Sequence, residues 1–337
     1  MKAIQITTPG QLDTVEVDVP ELHAGEVLLK INYAGFCGSD LNTFRGGNSM
    51  VTYPRIPGHE ISATIEALGA EVSAGLTVGQ LVTVNPYTSC GHCAACRSGR
   101  INACENNETL GVQRNGAMQQ YIAIPWQKVI PADGLCPQDV ALVEPLSVGF
   151  HAVDRGMVSA TDVCMVIGCG MVGLGAVIAA CQRGATVIAA DLDDEKLAIA
   201  ESLGASYTYN TATSQTYPEP SVIIEAVGSA PTYQLAINSV GYTGRVVCIG
   251  YAKSDVLLPT NLFVKKELNI LGSRNATDKD FAGAIRYLQG YAPGGTQQSD
   301  SARALISGIV TPDTASEAMQ QWDQAPGKVF RILVQFQ

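Results

Sequence analysis

The nineteen residues from Val163 to Cys181, VCMVIGCGMVGLGAVIAAC, carry no charge, and their reading decides the fold. By length alone they could cross a bilayer, but Gly168, Gly170, Gly173 and Gly175 interrupt them and no second apolar stretch of similar length exists. A buried strand, a tight turn and a buried helix fit better. Gly168-Cys169-Gly170-Met171-Val172-Gly173 spaces its glycines as G-x-G-x-x-G directly after an apolar strand and at the opening of an apolar helix. There Gly168 permits the turn, Gly170 lets a pyrophosphate approach the backbone N–H groups around Met171 and Val172, and Gly173 lets helix and strand pack closely. Asp191 stands eighteen residues beyond Gly173, at the end of the next apolar run. A carboxylate at that place accepts from ribose hydroxyls and repels a 2'-phosphate, and no Arg follows to cradle one, so the dinucleotide expected is NAD.

Working outward, Val163–167, a helix to 182, 185–190, a helix over 193–203, 222–226 and 245–249 alternate strand with helix. That alternation predicts a parallel, doubly wound sheet, closed by a strand at 268–271. Ala226-Val227-Gly228 and Ile249-Gly250 place small residues at the carboxyl ends of its strands, where ligands bind in such sheets. The crossover from Tyr209 to Ser221 is polar with no helical pattern, so a helix usual in this architecture is expected to be missing or rudimentary. Further on, 278–289 has helical periodicity, Tyr291 to Ser301 reads as an exposed loop, and 328–336 is β-like and expected to return to the first domain. Residues 1 to about 147 differ in texture, with short β-branched runs at 3–6, 15–17, 27–31 and 81–84 separated by Gly and Pro.

A chain of 337 residues suits two domains. With 46% hydrophobic and 15% charged residues it is not disordered overall, and its net charge of -10 would repel nucleic acid and anionic membrane surfaces. The N-terminus shows no signal peptide, and the cysteines suit a reducing compartment, so a cytoplasmic location is expected.

Four of the ten cysteines crowd into one loop: Cys90, Cys93, Cys96 and Cys104, separated by two, two and seven residues. Four thiolates complete a tetrahedral zinc and leave no place for water, so this site is expected to be structural, with His92 a bystander; free thiols or an iron–sulfur cluster are the alternatives. A second constellation is scattered: Cys37 in Gly35-Phe36-Cys37-Gly38-Ser39-Asp40, the pair His59-Glu60, and Glu144 before Pro145. Mixed sulfur, nitrogen and oxygen donors suit a catalytic zinc, whose open position takes water or an alcohol oxygen. Taken singly, Cys37 could be a buried thiol, His59 a core histidine and Glu144 a helix-cap carboxylate.

These motifs together with Glu144-Pro145-Leu146-Ser147-Val148-Gly149, His151 and Gly272-Ser273-Arg274-Asn275 make the chain resemble, over essentially its whole length, the zinc-dependent medium-chain alcohol dehydrogenases. The likeness falls on the polyol and sugar-acid branch that includes sorbitol dehydrogenase. The resemblance implies a mostly-β, GroES-like catalytic domain at 1–147 and 288–337, with the structural zinc lobe near 88–106, and a Rossmann domain at 148–287. It implies Cys37, His59 and Glu60 as ligands of the catalytic zinc, Glu144 as an exchangeable or water-mediated partner, and Asp40 accepting from the His59 imidazole. Ser39 would take the proton of the alcohol, and Arg274 would face the substrate, with Arg45 and Arg55 as weaker candidates for a substrate carboxylate. Relatives often carry a relay His three residues after that Ser; here the position is Asn42. The activity implied is NAD-dependent oxidation of a secondary alcohol of a polyol or sugar acid to a ketone, by a homodimer or homotetramer, with the substrate where the domains meet. The alternatives are another alcohol or a sugar phosphate as substrate, or a silent NAD-binding sensor or structural protein.

Overall fold

Side chains along Glu26–Phe36 alternate between buried and half-buried until the last few, where all are buried, as a strand passing into a core requires. In the computed structural model, which describes residues 1–72, 75–213, 216–290 and 303–336, this run is β3, the pivot of the first of two units. That unit comprises Met1–Glu144 and Leu305–Gln337. A hairpin of β1 (Lys2–Thr8) and β2 (Gln11–Glu16) stands beside a seven-stranded sheet. The sheet's order is β14 (Ile306–Val310), β15 (Arg331–Gln335), β3, β4 (Glu60–Leu68), β5 (Leu81–Val84) and β7 (Val129–Pro131), with β6 (Tyr121–Pro125) also paired to β3. Ile4, Ile6, Val27, Leu29, Ile31, Phe36, Ile61 and Ile65 are among its fully or nearly fully buried side chains, and form one core with Trp322 and Phe336 from the C-terminal segment.

Register is what positions the chemistry. Gly35 lies opposite Glu60 across β3 and β4, and Phe36 lies opposite Ile332 across β3 and β15. The end of β3, the start of β4 and the start of β15 therefore meet, bringing Cys37, His59-Glu60 and Arg331 to one corner of the sheet. The C-terminal strand does return to the first unit, as the sequence suggested.

The second unit is Pro145–Ala304. Its six strands are β8 (Val163–Ile167), β9 (Thr186–Asp191), β10 (Tyr207–Asn210), β11 (Val222–Glu225), β12 (Arg245–Cys248) and β13 (Asn269–Gly272), all parallel in the order β10-β9-β8-β11-β12-β13. This is the doubly wound order with its switch point between β8 and β11. Val163-Cys164-Met165-Val166-Ile167 is almost wholly buried because helices cover both faces of such a sheet. Two departures from the sequence reading stand out. Tyr207–Asn210 is a strand that the sequence did not announce, since an edge strand with part-exposed Tyr and Thr lacks an apolar run. The unit also runs on to Ala304, where the sequence reading ended it at 287; the helix Asp278–Leu288 joins it, packing Gly283 against Phe150. As expected, the described residues between β10 and β11 hold no helix. The loop expected at Tyr291 to Ser301 lies outside the described residues, and among those described no helix is long and apolar enough to cross a membrane.

Candidate metal centres and dinucleotide site

Cys37 is the N-cap of the helix Gly38–Phe44, placed by the end of β3, and His59 and Glu60 stand at the entry to β4. One ligand atom from each of the three lies within 4.8 Å of the other two, so folding brings together residues that the sequence holds apart. The corner is dry: His59 is 6% exposed, Glu60 0% and Asp40 1%. Yet His59 Nδ1, Glu60 Oε1, Ser39 Oγ and Asp40 Oδ1 have no hydrogen-bond partner among the described residues. Buried polar atoms are rarely left so, because each costs about 1–3 kcal/mol. A cation held by thiolate, imidazole and carboxylate would satisfy the His59 and Glu60 atoms among them, and this donor set suits zinc.

Electrostatics point the same way. Burial is the largest single influence and raises the Cys37 thiol, but the charge and hydrogen bond of His59 together with the Arg331 charge outweigh it, and the thiol falls to about 7. Burial opposes charge on His59, which the Cys37 thiolate and the Glu144 and Asp40 carboxylates nonetheless hold well above the usual imidazole range. Glu60 is pushed well above the usual carboxylate range, by burial first and by Cys37 and Glu144 besides, with Arg331 opposing. So many acids in one dry corner call for positive charge beyond what the protein supplies.

Arg331, 2% exposed, is part of that supply: Nε lies 2.8 Å from Glu60 Oε2 and Nη1 donates to Phe36 O at 2.5 Å. Room for the pair comes from Gly35, where a Cβ would stand 2.3 Å from Glu60 Oε2 and 3.1 Å from Arg331 Cδ. Glu144, in the first turn of the helix Val143–Arg155, is 3% exposed and acts on His59 by charge, but is outside the three-residue set. Its Oε1 accepts from the hydroxyl of Tyr87. Arg331 and Tyr87 escaped the sequence reading, and Gly35 entered it only as part of the Cys37 motif.

Asp40 corrects an expectation. Its Oδ2 accepts from Cys37 N at 2.8 Å, closing the first helical turn, while its other oxygen and His59 Nδ1 are unpaired. Asp40 therefore acts on His59 through charge and makes no hydrogen bond to it; the capping geometry turns the carboxylate to the backbone. Asn42 lies against Gly47, whose Cβ would be 2.6 Å from its Oδ1. Arg45 is taken up by Asp323, with Nε 2.5 Å from Oδ1, and Arg55 donates to Asn115 and Thr52. Arg274 is half-buried just past β13, in the other unit.

The four cysteines of the loop also gather, one sulfur from each within 4.8 Å of the rest. Cys93 and Cys104 sulfurs are 3.8 Å apart and Cys104 and Cys90 sulfurs 3.6 Å, far beyond a disulfide bond. Tetrahedral Zn–S bonds of about 2.3 Å would set sulfurs about 3.8 Å apart, so the cage fits that ion. Backbone N–H groups of Cys90, Cys93 and Cys96 point at the sulfurs of Cys104, Cys90 and Cys93 from 3.3 to 3.4 Å, and the Asn106 amide, with the backbone N–H groups of His92 and Cys93, lowers the Cys90 thiol to about 5. His92 stays outside, its Nδ1 2.8 Å from Cys90 O.

In the second unit, Gly168 has φ +95°, and a Cβ on Gly173 would stand 1.8 Å from Gly168 O, so the turn and the close packing both require glycine. The helix Met171–Gln182 starts at Gly170 with no side-chain cap, and a Cβ on Gly170 would meet nothing within 4 Å. Uncapped N–H groups facing open space are a cradle for a pyrophosphate. Asp191, at the end of β9, accepts from Cys169 N at 2.7 Å and from the N–H groups of Leu192 and Asp193, which places its carboxylate beside the glycine turn. Gly228 and Gly250 interlock, a Cβ on Gly250 falling 2.1 Å from Gly228 N, while Val227 is half-exposed at the end of β11 and Ile249 N donates to Glu225 O. Glu225, 0% exposed, holds the Ala226-Val227-Gly228 turn by accepting from Val227 N, Gly228 N and the Thr232 hydroxyl, a role the sequence reading missed.

A fold of this kind, carrying these two cysteine-bearing centres and this glycine turn, is matched by two family models: the alcohol dehydrogenase GroES-like domain over residues 23–134 and the zinc-binding dehydrogenase over residues 171–290. The chain belongs to the zinc-dependent medium-chain alcohol dehydrogenase family, and is an NAD-dependent oxidoreductase with a GroES-like and a Rossmann unit. It is 36% identical, over 82% of its length and 84% of the relative's, to an uncharacterized zinc-type alcohol dehydrogenase-like protein of Haemophilus influenzae. It is 33% identical to the L-galactonate-5-dehydrogenase of Escherichia coli K12, over 86% and 87% of the two chains. Among solved structures, galactitol-1-phosphate dehydrogenase from Escherichia coli superposes with a TM-score of 0.88 at 27% identity, covering 100% of both chains.

Proposed function

We propose that this protein oxidises a secondary alcohol of a polyol or sugar acid to a ketone, with NAD as hydride acceptor. The observation that carries the reading is the dry corner where Cys37, His59 and Glu60 converge with unsatisfied polar atoms. Relatives that act on L-galactonate and galactitol 1-phosphate set the substrate class. Cys37, His59 and Glu60 would hold the catalytic zinc, and Cys90, Cys93, Cys96 and Cys104 the structural one. Bound there, zinc polarises an alcohol oxygen and lowers the pKa of its proton toward neutrality. Ser39, whose buried hydroxyl is unpaired, would accept that proton while passing its own hydroxyl proton on toward solvent. Asn42 cannot titrate, so the proton leaves without an imidazole at that position. Gly168, Gly170, Met171, Val172 and Gly173 cradle the pyrophosphate, Asp191 takes the ribose, and Ala226, Val227, Gly228, Ile249 and Gly250 line the rest of the dinucleotide site. Arg274 is assigned to the substrate's hydroxyl or carboxylate groups.

A homo-oligomer is supported by β13, an edge strand with exposed Ile270, and by the apolar Leu257 and Val264 in the segment that precedes it, 89% and 85% exposed. All ten cysteines are free, which favours the cytoplasm. The test is NADH production across alditols, aldonates and sugar phosphates, with zinc measured on the same sample. Turnover of one of these by protein holding two zinc ions per chain is expected; active protein with zinc in the four-cysteine cage alone would overturn the assignment.

A further inference from the structure

His151 belongs to neither group of metal-ligand side chains and lies outside the glycine turn. It is buried on the helix Val143–Arg155, and its Nδ1 lies 2.9 Å from Asp280 Oδ2. A carboxylate oxygen only accepts, so the imidazole donates. The same Oδ2 accepts from Thr277 N at 2.8 Å and from the Thr277 hydroxyl at 2.6 Å, which closes the first turn of the helix Asp278–Leu288. Gly283 permits the close approach of the two helices, since a Cβ there would stand 2.9 Å from the Phe150 ring.

One turn further along the first helix, Arg155 Nε donates to Gly272 O at 3.2 Å. Gly272 ends β13 and Thr277 caps the next helix, so a single helix grips both ends of the segment Ser273-Arg274-Asn275-Ala276. The segment is fixed inside as well. Ser273 N donates to Cys248 O at 2.9 Å, Asn275 takes the left-handed φ of +55° that Asn tolerates, and Ala276 is buried. Arg274, half-buried, is its one charged residue.

We propose that His151 and Arg155 are positioning residues for substrate recognition: they hold this segment at its two ends and so set where the Arg274 guanidinium is presented. This rests on the assignment of Arg274 to the hydroxyl or carboxylate groups of a polyol or sugar acid. A guanidinium bonds through a rigid fork, so its hold on oxygen acceptors weakens with small displacements of the backbone that carries it. Loss of either grip loosens Arg274 and leaves the metal ligands and the glycine turn as they are.

His151→Leu removes the donor, and His151→Asn returns an amide N–H near the place of Nδ1. Kinetics use the alditol, aldonate or sugar phosphate that the zinc-loaded protein turns over fastest. His151→Leu is expected to raise its KM about tenfold, the low end of what a hydrogen bond to a charged group is worth, with kcat and the KM for NAD changed less than about threefold. His151→Asn should recover most of that loss. Arg155→Met, at a half-buried position whose change empties no core, should raise KM about threefold. The deciding readout is the cycle with Arg274→Gln: neither variant should raise KM further once Arg274 is replaced, because positioning acts through that residue. Amide hydrogen exchange over 273–277 should quicken in both variants, with exchange at the glycine turn 168–173 unchanged. Effects on KM that add to that of Arg274→Gln overturn the proposal. Arg274→Gln with an unaltered KM removes the assignment of Arg274 and this proposal together, whereas a raised KM there with unresponsive His151→Leu and Arg155→Met removes the proposal alone. Failure of zinc-loaded protein to turn over any of these compounds removes the functional reading, and the proposal with it.

Discussion

The cysteine cage and the Cys37–His59–Glu60 corner gather metal-ligand side chains by opposite means. The cage draws four sulfurs from fifteen consecutive residues, and its own backbone N–H groups point at them, so local chain geometry nearly suffices. The corner draws its groups from the ends of three strands, among them Phe36 and Arg331, 295 residues apart, and leaves several of its polar atoms unsatisfied. A site satisfied by its own loop suits holding a lobe together. A site built by tertiary pairing and left electrostatically hungry suits chemistry, where an open metal position is needed.

Removing a ligand from each centre should separate the two roles. His59→Ala is expected to lower kcat/KM at least about a thousandfold, some 4 kcal/mol of transition-state stabilisation, and to halve the zinc content from two to one per chain. Its melting temperature should change by only a few degrees, and retention of more than a tenth of the activity would break the comparison. Cys104→Ser should do the reverse. Loss of the structural ion should lower the melting temperature by about 10 °C, on a scale of about 2–4 °C per kcal/mol for a unit of this size. Protein that remains folded should keep its catalytic zinc and a kcat within a few-fold of wild type, checked by calorimetry and by assay below the transition.

The same contrast explains what could be seen in the sequence. The cage, the glycine turn and Asp191 were legible because each is a spacing within one short segment or one strand–helix–strand unit. The metal corner was legible only as a likeness of scattered motifs, since nothing in Cys37, His59 or Glu60 taken singly says that β3 and β4 will place them within 4.8 Å. The roles of Gly35 and Arg331 left no trace, because they arise from register: Gly35 matters as the residue opposite Glu60, and Arg331 because β15 pairs with β3. The Asp40 expectation failed for a related reason, since its carboxylate closes a helix turn that the motif alone does not specify. At β10, a polar edge strand carried no period that could be told from a loop.

Gly35→Ala tests the register argument directly. A methyl group 2.3 Å from Glu60 Oε2 cannot be accommodated without moving either that carboxylate or Arg331. The expected result is a 10–100-fold weaker catalytic metal site, measured by chelator competition, with the cage untouched. Overpacking should add a loss of about 1–3 kcal/mol in stability. Undiminished metal affinity would show that Glu60 does not need its present position.

The smallest effect is expected at Asp40, and its size is informative. Were Asp40 hydrogen-bonded to His59, removing its charge would disturb a partner that orients a metal ligand, typically a 10–100-fold loss. The carboxylate instead accepts from Cys37 N and reaches His59 only by charge. Asp40→Asn keeps the side-chain carbonyl for the Cys37 N–H and removes the charge. Catalytic zinc affinity should therefore fall only about three- to tenfold, the share left to a Coulombic contact without a directed bond. A hundredfold loss in the same chelator competition would mean that loading the metal turns Asp40 onto the imidazole, and that the capping geometry belongs to the metal-free chain alone.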